Sequence, residues 1–204
     1  MLTVMIYHDV EQNSEEWNAL RLGKFTASSA NDLFMAPTTK GFKDTIIRVA
    51  YERITGESEE RYSNKWMERG HEKEQAAADH YEMQTFTTLE KVGFYEYSDW
   101  IGASPDRKIK GVNAGCEFKC RSFQVYDEYM ETKRVAKDVY WQIVFQLLCT
   151  GWDYIDYMPY NSPKLKTHIV RISAAEESAA IEALKDNLER CIELVKLKIE
   201  RIKP

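Results

Sequence analysis

Cys116-Glu117-Phe118-Lys119-Cys120 is the stretch whose residue types and spacing offer chemistry most directly. Read as a β-strand, it alternates faces with a period of two. Cys116, Phe118 and Cys120 then share an apolar face, and Glu117 and Lys119 share the other, a carboxylate beside an amine. Upstream, Ile101-Gly102-Ala103-Ser104-Pro105-Asp106 ends a neighbouring strand with a second acid. Residues 107–113 read as a hairpin turn, with Gly111 and Asn113 supplying the permissive backbone angles. Pairing the two strands brings Asp106 close to Glu117. Two carboxylates converging at a sheet edge, with no Cys or His ligand pair nearby, make an oxygen-lined site. Such a site suits Mg²⁺ or Mn²⁺ rather than zinc.

A strand site needs a sheet and helices to hold it, and the hydrophobic pattern supplies both. Asn13-Ser14-Glu15-Glu16-Trp17 has the capping residues and first-turn acids of a helix start, and Gly23 closes that helix. A second helix is expected over 26–34, with hydroxyls at its mouth that could donate to a phosphate or simply cap the helix. Further helices are expected over 44–54, 64–83, 123–131 and 138–149. The long one carries Met67 and Glu74, and the last sets Gln142 and Gln146 one turn apart on one face. Strands are expected over 85–97, 154–160 and 167–172, with Asn161-Ser162-Pro163 as a turn. Residues 173–202 form a long amphipathic helix whose apolar stripe includes Leu184, Leu188, Val195 and Ile199. The expected fold class is α/β (α+β): a central mixed β-sheet flanked by helices. No repeat, low-complexity run or long linker divides the chain, so residues 1–204 are read as a single domain.

With 44% hydrophobic and 30% charged residues, the chain has the composition of a soluble globular protein. No run approaches the roughly 20 apolar residues of a membrane span. The first nine residues carry neither a basic leader nor an A-x-A cleavage site, so secretion is not expected. Cys116, Cys120, Cys149 and Cys191 form no C-x-x-C motif and read as buried, reduced thiols. A net charge of −5 does not by itself favour nucleic acid. A DNA-binding role therefore requires basic residues gathered on one surface. Arg21, Lys24, Lys40, Lys43, Arg107, Lys108, Lys110, Arg121, Lys133, Arg134 and Lys137 flank the site in sequence.

The Ser104-Pro105-Asp106 and Glu117-Phe118-Lys119 pair resembles the core of the PD-(D/E)XK nuclease superfamily, whose fold is restriction-endonuclease-like. Adding Leu20-Arg21-Leu22-Gly23, Thr26-Ala27-Ser28, Arg69-Gly70 through Glu74, and Gln142, all in order, the chain resembles the lambda exonuclease family. These are the YqaJ-like alkaline exonucleases of phage recombination, and the likeness spans roughly residues 14–160. The resemblance implies a Mg²⁺-dependent 5′→3′ exonuclease that degrades one strand of duplex DNA from an end. It further implies a homotrimer that acts beside a single-strand annealing protein, in the cytoplasm of a bacterial host and encoded by a phage or prophage. By position, Asp106 and Glu117 would bind the metal together with the backbone carbonyl of Phe118. Lys119 would orient or deprotonate the attacking water, and Glu74 and Gln142 would complete the site. Arg21 and Ser28 would hold the 5′-phosphate, and Met67 falls where the family places a strand-separating wedge. The family can carry a basic residue after the proline that corresponds to Pro37; here Thr38 stands there, with Lys40 close by.

Lys119 could serve as a base only if burial or a metal depressed its pKa, which makes orienting the water the better role. An iron–sulfur relative of the Cas4 type would need four cysteines outside the catalytic strand, and two of the four lie on it. The remaining alternatives are a restriction-type endonuclease and a non-catalytic DNA-end-binding recombination module.

Overall fold

The computed structural model describes residues 5–58 and 65–203, with residues 65–72 described for their backbone alone. The chain opens with a short strand, β1 (Ile6–His8), and helix α1 (Glu15–Arg21). Ser14 caps α1 by accepting the Trp17 N–H at 3.1 Å, and Glu15 and Glu16 occupy the first turn, as the sequence pattern requires. The expected helix over 26–34 is instead three pieces: strand β2 (Phe25–Thr26), a 3₁₀ turn (Ala27–Ser29) and the single-turn helix α2 (Ala30–Leu33). Hydroxyl side chains there compete for the backbone, since Ser29 Oγ donates to the Thr26 carbonyl at 3.0 Å.

Helix α3 (Lys40–Thr55) ends on Gly56 in the left-handed conformation, and α4 (Lys65–Thr85) follows. Next come β3 (Leu89–Lys91), β4 (Phe94–Ser98), β5 (Ile101–Ala103), β6 (Arg107–Ile109) and β7 (Ala114–Lys119). The chain closes with α5 (Phe123–Thr132), α6 (Lys137–Thr150), β8 (Tyr154–Pro159), β9 (Val170–Ser173) and α7 (Ser178–Ile202). Among the described residues no helix is long and apolar enough to cross a membrane.

The fold is mixed α/β, and its strands divide between two mixed sheets. One has the order β1-β4-β5-β2 and the other β3-β6-β7-β8-β9. The expected hairpin therefore needs correcting. Ile101–Ala103 belongs to the first sheet, and 107–109 is not a turn but a strand antiparallel to β7, pairing Arg107 with Cys116 and Lys108 with Gly115. The turn is confined to 110–113, where Gly111 has φ +76°. Pro105 cannot donate to a ladder, and it lies where the chain passes from one sheet to the other. Arg107 and Lys108 look like turn residues by polarity, but Arg107 is buried and Ile109 is in the core.

The second sheet is covered on both faces, which accounts for the alternation along β7. Cys116 and Phe118 pack with Ala77, Ala78 and Tyr81 of α4 and with Met158 of β8. The opposite face meets α6, where Ile143 and Leu147 join Ile155 and Tyr157. Asp156 braces the α4 side: it accepts Tyr81 Oη at 2.7 Å and takes both Nε and Nη2 of Arg171, at 2.9 and 3.0 Å. Helix α7 buries Leu184, Leu188, Cys191 and Val195 in the cluster that also holds α3 and α6 residues.

Gly115 admits Trp152 against β7. A Cβ added there would lie 1.9 Å from the Trp152 ring and 2.6 Å from the Arg107 carbonyl oxygen. Gly115→Ala should therefore destabilise by about 1–3 kcal/mol, the usual range for overpacking. A thermal melt checks this, and adding Trp152→Leu should recover part of the loss.

Candidate active site

Strand β7 presents Glu117 to α6, and the residue is fully buried. A carboxylate removed from water needs donors, and three side chains supply them. Its Oε1 accepts Gln142 Nε2 at 2.6 Å and lies 2.5 Å from Lys119 Nζ; its Oε2 accepts Gln146 Nε2 at 2.7 Å. Gln142 and Gln146 reach one carboxylate because residues four apart on a helix share a face. Gln146 was visible in the sequence only as a face-mate of Gln142, and the i, i+4 pair of amides was the signal. Its Oε1 is buried and without a hydrogen-bond partner among the described residues.

Asp106 reaches the same place from the segment between the sheets. Its Oδ2 accepts the Phe118 N–H at 2.7 Å, which docks the carboxylate on the backbone next to Glu117. Burial pushes the Asp106 pKa well above the usual range, and the nearby charges of Glu117 and Glu74 add to it, against the opposing Lys119. For Lys119, burial alone would lower the pKa, but the charges of Glu117 and Asp106 outweigh it and raise it. The two carboxylates thus favour the ammonium form of Lys119. Cys120, beside it, has a thiol pushed up to about 11, chiefly by burial, and is not primed as a nucleophile.

Glu74 comes from α4 and pairs with Arg107, whose guanidinium also donates to the Asp106 carbonyl oxygen at 2.6 Å and to Gln75 Oε1 at 3.2 Å. Arg21 stacks on the Trp17 ring, 4.0 Å from its centroid, and Trp17 Nε1 donates to Ser104 Oγ at 2.8 Å. Gln12 adds a second tether, donating to the carbonyl oxygens of Pro105 and Val92 at 3.0 and 2.8 Å. The structure thereby ties α1 to the Ser104-Pro105-Asp106 segment. Ser28 is exposed on the 3₁₀ turn, 3.2 Å from Thr26 Oγ1, and lines an open cleft of about 930 Å³ with Asp32, Thr45, Arg48 and Tyr51. Met67 belongs to α4, but its side chain lies outside the described residues.

Two of the basic residues counted toward a DNA surface are internal. Lys24 is buried, donating to Glu96 Oε1 and the Asp99 carbonyl, both at 2.9 Å, and Arg107 is buried against Glu74. Each is spoken for by a fold contact. Lys40, Lys43, Lys110, Lys133, Arg134 and Lys137 are exposed.

No group of three or more His, Cys, Asp or Glu side chains among the described residues is arranged to hold a metal. The candidate donor set is smaller: two carboxylates and a main-chain carbonyl. Glu117 has Lys119 and Glu74 has Arg107, whereas Asp106 has a main-chain N–H and two acid neighbours, and hard oxygen donors of this kind fit a divalent cation such as Mg²⁺.

Comparison with known proteins bears on the family and the fold. The chain is similar to an alkaline exonuclease from Laribacter hongkongensis, at 26% identity over 93% of this chain and 96% of that chain, with a TM-score of 0.83. A structure of the Laribacter enzyme in complex with dAMP matches equally, at 27% identity, the same coverage and the same TM-score. A phage-related exonuclease from Haemophilus somnus 129PT shares the fold, at 15% identity over 91% of this chain and 99% of that chain, with a TM-score of 0.66. No curated protein sequence matches the chain. The sequence profile of the YqaJ-like viral recombinase domain covers residues 16–153, from α1 through α6 and so across the whole Asp106–Glu117–Gln142 constellation, and the chain belongs to that family.

Proposed function

We propose that this protein is a Mg²⁺-dependent exonuclease that degrades one strand of duplex DNA from its end, in the 5′→3′ direction. The observation that carries the reading is the buried Glu117, gripped by Lys119, Gln142 and Gln146 beside Asp106. The Laribacter alkaline exonuclease, alike over nearly the whole of both chains, supports the reaction class.

Asp106, Glu117 and the Phe118 carbonyl would hold the metal. Held there, a divalent ion would supply a lowered water pKa and charge neutralisation on the phosphate. Lys119, kept as an ammonium, donates to the water or to a phosphate oxygen and so fixes the line of attack. Gln142 keeps Glu117 in place through Nε2, and Glu74 adds negative charge at the edge of the cluster. Arg21, with its guanidinium carbon over the Trp17 ring, would donate to the 5′-phosphate, and Ser28 would add a hydroxyl. Met67 is assigned to strand separation. The same reading takes residues 1–204 as one nuclease domain that assembles as a homotrimer and works with a single-strand annealing protein in phage-type recombination. Its place is the cytoplasm of a bacterial host.

Asp106→Ala or Glu117→Ala should abolish hydrolysis of a linear duplex in Mg²⁺, while Mn²⁺ remains worth testing as a substitute ion. Lys119→Ala should lower kcat by about 10²–10⁴-fold and leave binding to DNA ends largely intact. End binding without any hydrolysis by the wild type would make the protein a non-catalytic module. Cleavage of circular duplex would make it an endonuclease.

End selection is tested separately with 5′-phosphorylated and 5′-hydroxyl duplexes. A hydrogen bond to a charged group contributes about 1.5–3 kcal/mol, so Arg21→Ala should lose roughly ten- to a hundredfold on phosphorylated ends and little on hydroxyl ends. Equal losses on the two substrates would make Arg21 a general contact.

A further inference from the structure

Arg107 is the first residue of β6, and only 6% of it is exposed. A guanidinium in that position requires partners, and among the described residues those it has belong to the candidate site or its support. Nη1 pairs with the Glu74 carboxylate and donates to the Asp106 carbonyl oxygen at 2.6 Å, and Nη2 donates to Gln75 Oε1 at 3.2 Å. Arg107 therefore grips the main chain of one proposed metal ligand and the side chain of a third acid.

The charges in this cluster pair off unevenly. Glu117 has Lys119, Glu74 has Arg107, and Asp106 takes the main-chain N–H of Phe118. Lys119 is already placed in the proposed reaction. Arg107 is not.

We propose that Arg107 is a positioning residue: as an internal counter-cation it holds one oxygen of Glu74, setting both the orientation of that carboxylate and the negative charge the site offers a divalent cation. This rests on the reading that Asp106 and Glu117 ligate such a cation. Without Arg107, Glu74 loses the cation that pairs with it among the described residues, and its charge adds to those of Asp106 and Glu117. The site then attracts a cation more strongly, while Glu74 loses the geometry that the reaction uses. Metal affinity and turnover move in opposite directions. A residue that only supported the fold would, when removed, weaken both.

The test is calorimetric titration of Mn²⁺ into the metal-free full-length protein, together with steady-state digestion of a linear duplex at saturating metal. Asp106→Asn comes first. If it binds Mn²⁺ as the wild type does, the metal-site reading fails and this inference goes with it. If its binding falls, the site is confirmed and the Arg107 variants decide the rest. Arg107→Met should then bind Mn²⁺ about ten- to a hundredfold more tightly, the scale on which one neighbouring charge acts at such sites, while kcat falls and KM stays near the wild-type value. Unchanged or weaker Mn²⁺ binding by a folded Arg107→Met overturns the proposal. Glu74→Gln, which leaves the Arg107 charge unneutralised, should weaken Mn²⁺ binding about tenfold or more, and unchanged binding by this variant overturns the proposal even if Arg107→Met does not fold. The double variant, with both charges gone, should return to within about threefold of wild type, because neighbouring charges couple. If it binds as weakly as Glu74→Gln alone, Glu74 is a direct ligand and Arg107 does not set its charge.

Discussion

The rest of the structure is arranged around one buried carboxylate. Glu117 has no exposed surface, and an ionised acid left there without donors would be destabilising by several kcal/mol. Lys119, Gln142 and Gln146 meet that demand together, and they do so only because α6 packs directly on the face of β7 that carries the acid. Residues on α6 that point away from Glu117 serve a different purpose. Ile143, Val144, Leu147 and Leu148 fill the hydrophobic clusters on either side of the amide face. One helix thus supplies both the apolar contact that holds it in place and the polar contact that the acid requires.

The other face of the same sheet has a complementary task. Helix α4 packs Ala77, Ala78 and Tyr81 onto Cys116 and Phe118, and the small alanines allow a close approach. Tyr81 is pinned by Asp156, which Arg171 neutralises through two hydrogen bonds. With the helix locked in that register, Glu74, on the same helix as Tyr81 and nearly two turns before it, meets Arg107. Burial on both sides of β7 explains why the strand can present an acid and an amine on one face and thiol and phenyl groups on the other.

The acidic balance of the chain does not conflict with a nucleic-acid substrate once the charges are located. Glu74, Glu117 and Asp156 are internal or partly so and are already neutralised by Arg107, Lys119 and Arg171. Lys24 and Arg107 likewise contribute nothing to the outer surface. What matters for a polyanion is the local distribution of exposed groups, and net charge averages over residues that DNA would never meet.

Local features were legible in the sequence. The Ser14 cap, the Gly56 stop, the period-two alternation of β7 and the i, i+4 glutamines all depend on residues near one another in the chain, so the longer helices and β7 came through with only their ends displaced, while 26–34 broke into a strand, a 3₁₀ turn and one helical turn. The family motifs, including the Asp106 and Glu117–Lys119 pair, were equally readable. What pairs with what was not. Ile101–Ala103 and Arg107–Ile109 lie four residues apart yet enter different sheets, and Arg107 looked like a turn residue until Glu74, from a helix 33 residues earlier, gave its charge a buried partner. Gln146 could be placed on the face of Gln142, but that this face meets Glu117 came only from the packing of α6 on β7. Strand pairing and charge compensation are decided by contacts between distant segments, and the free energy of burying a charge is set by neighbours that only the folded chain brings together.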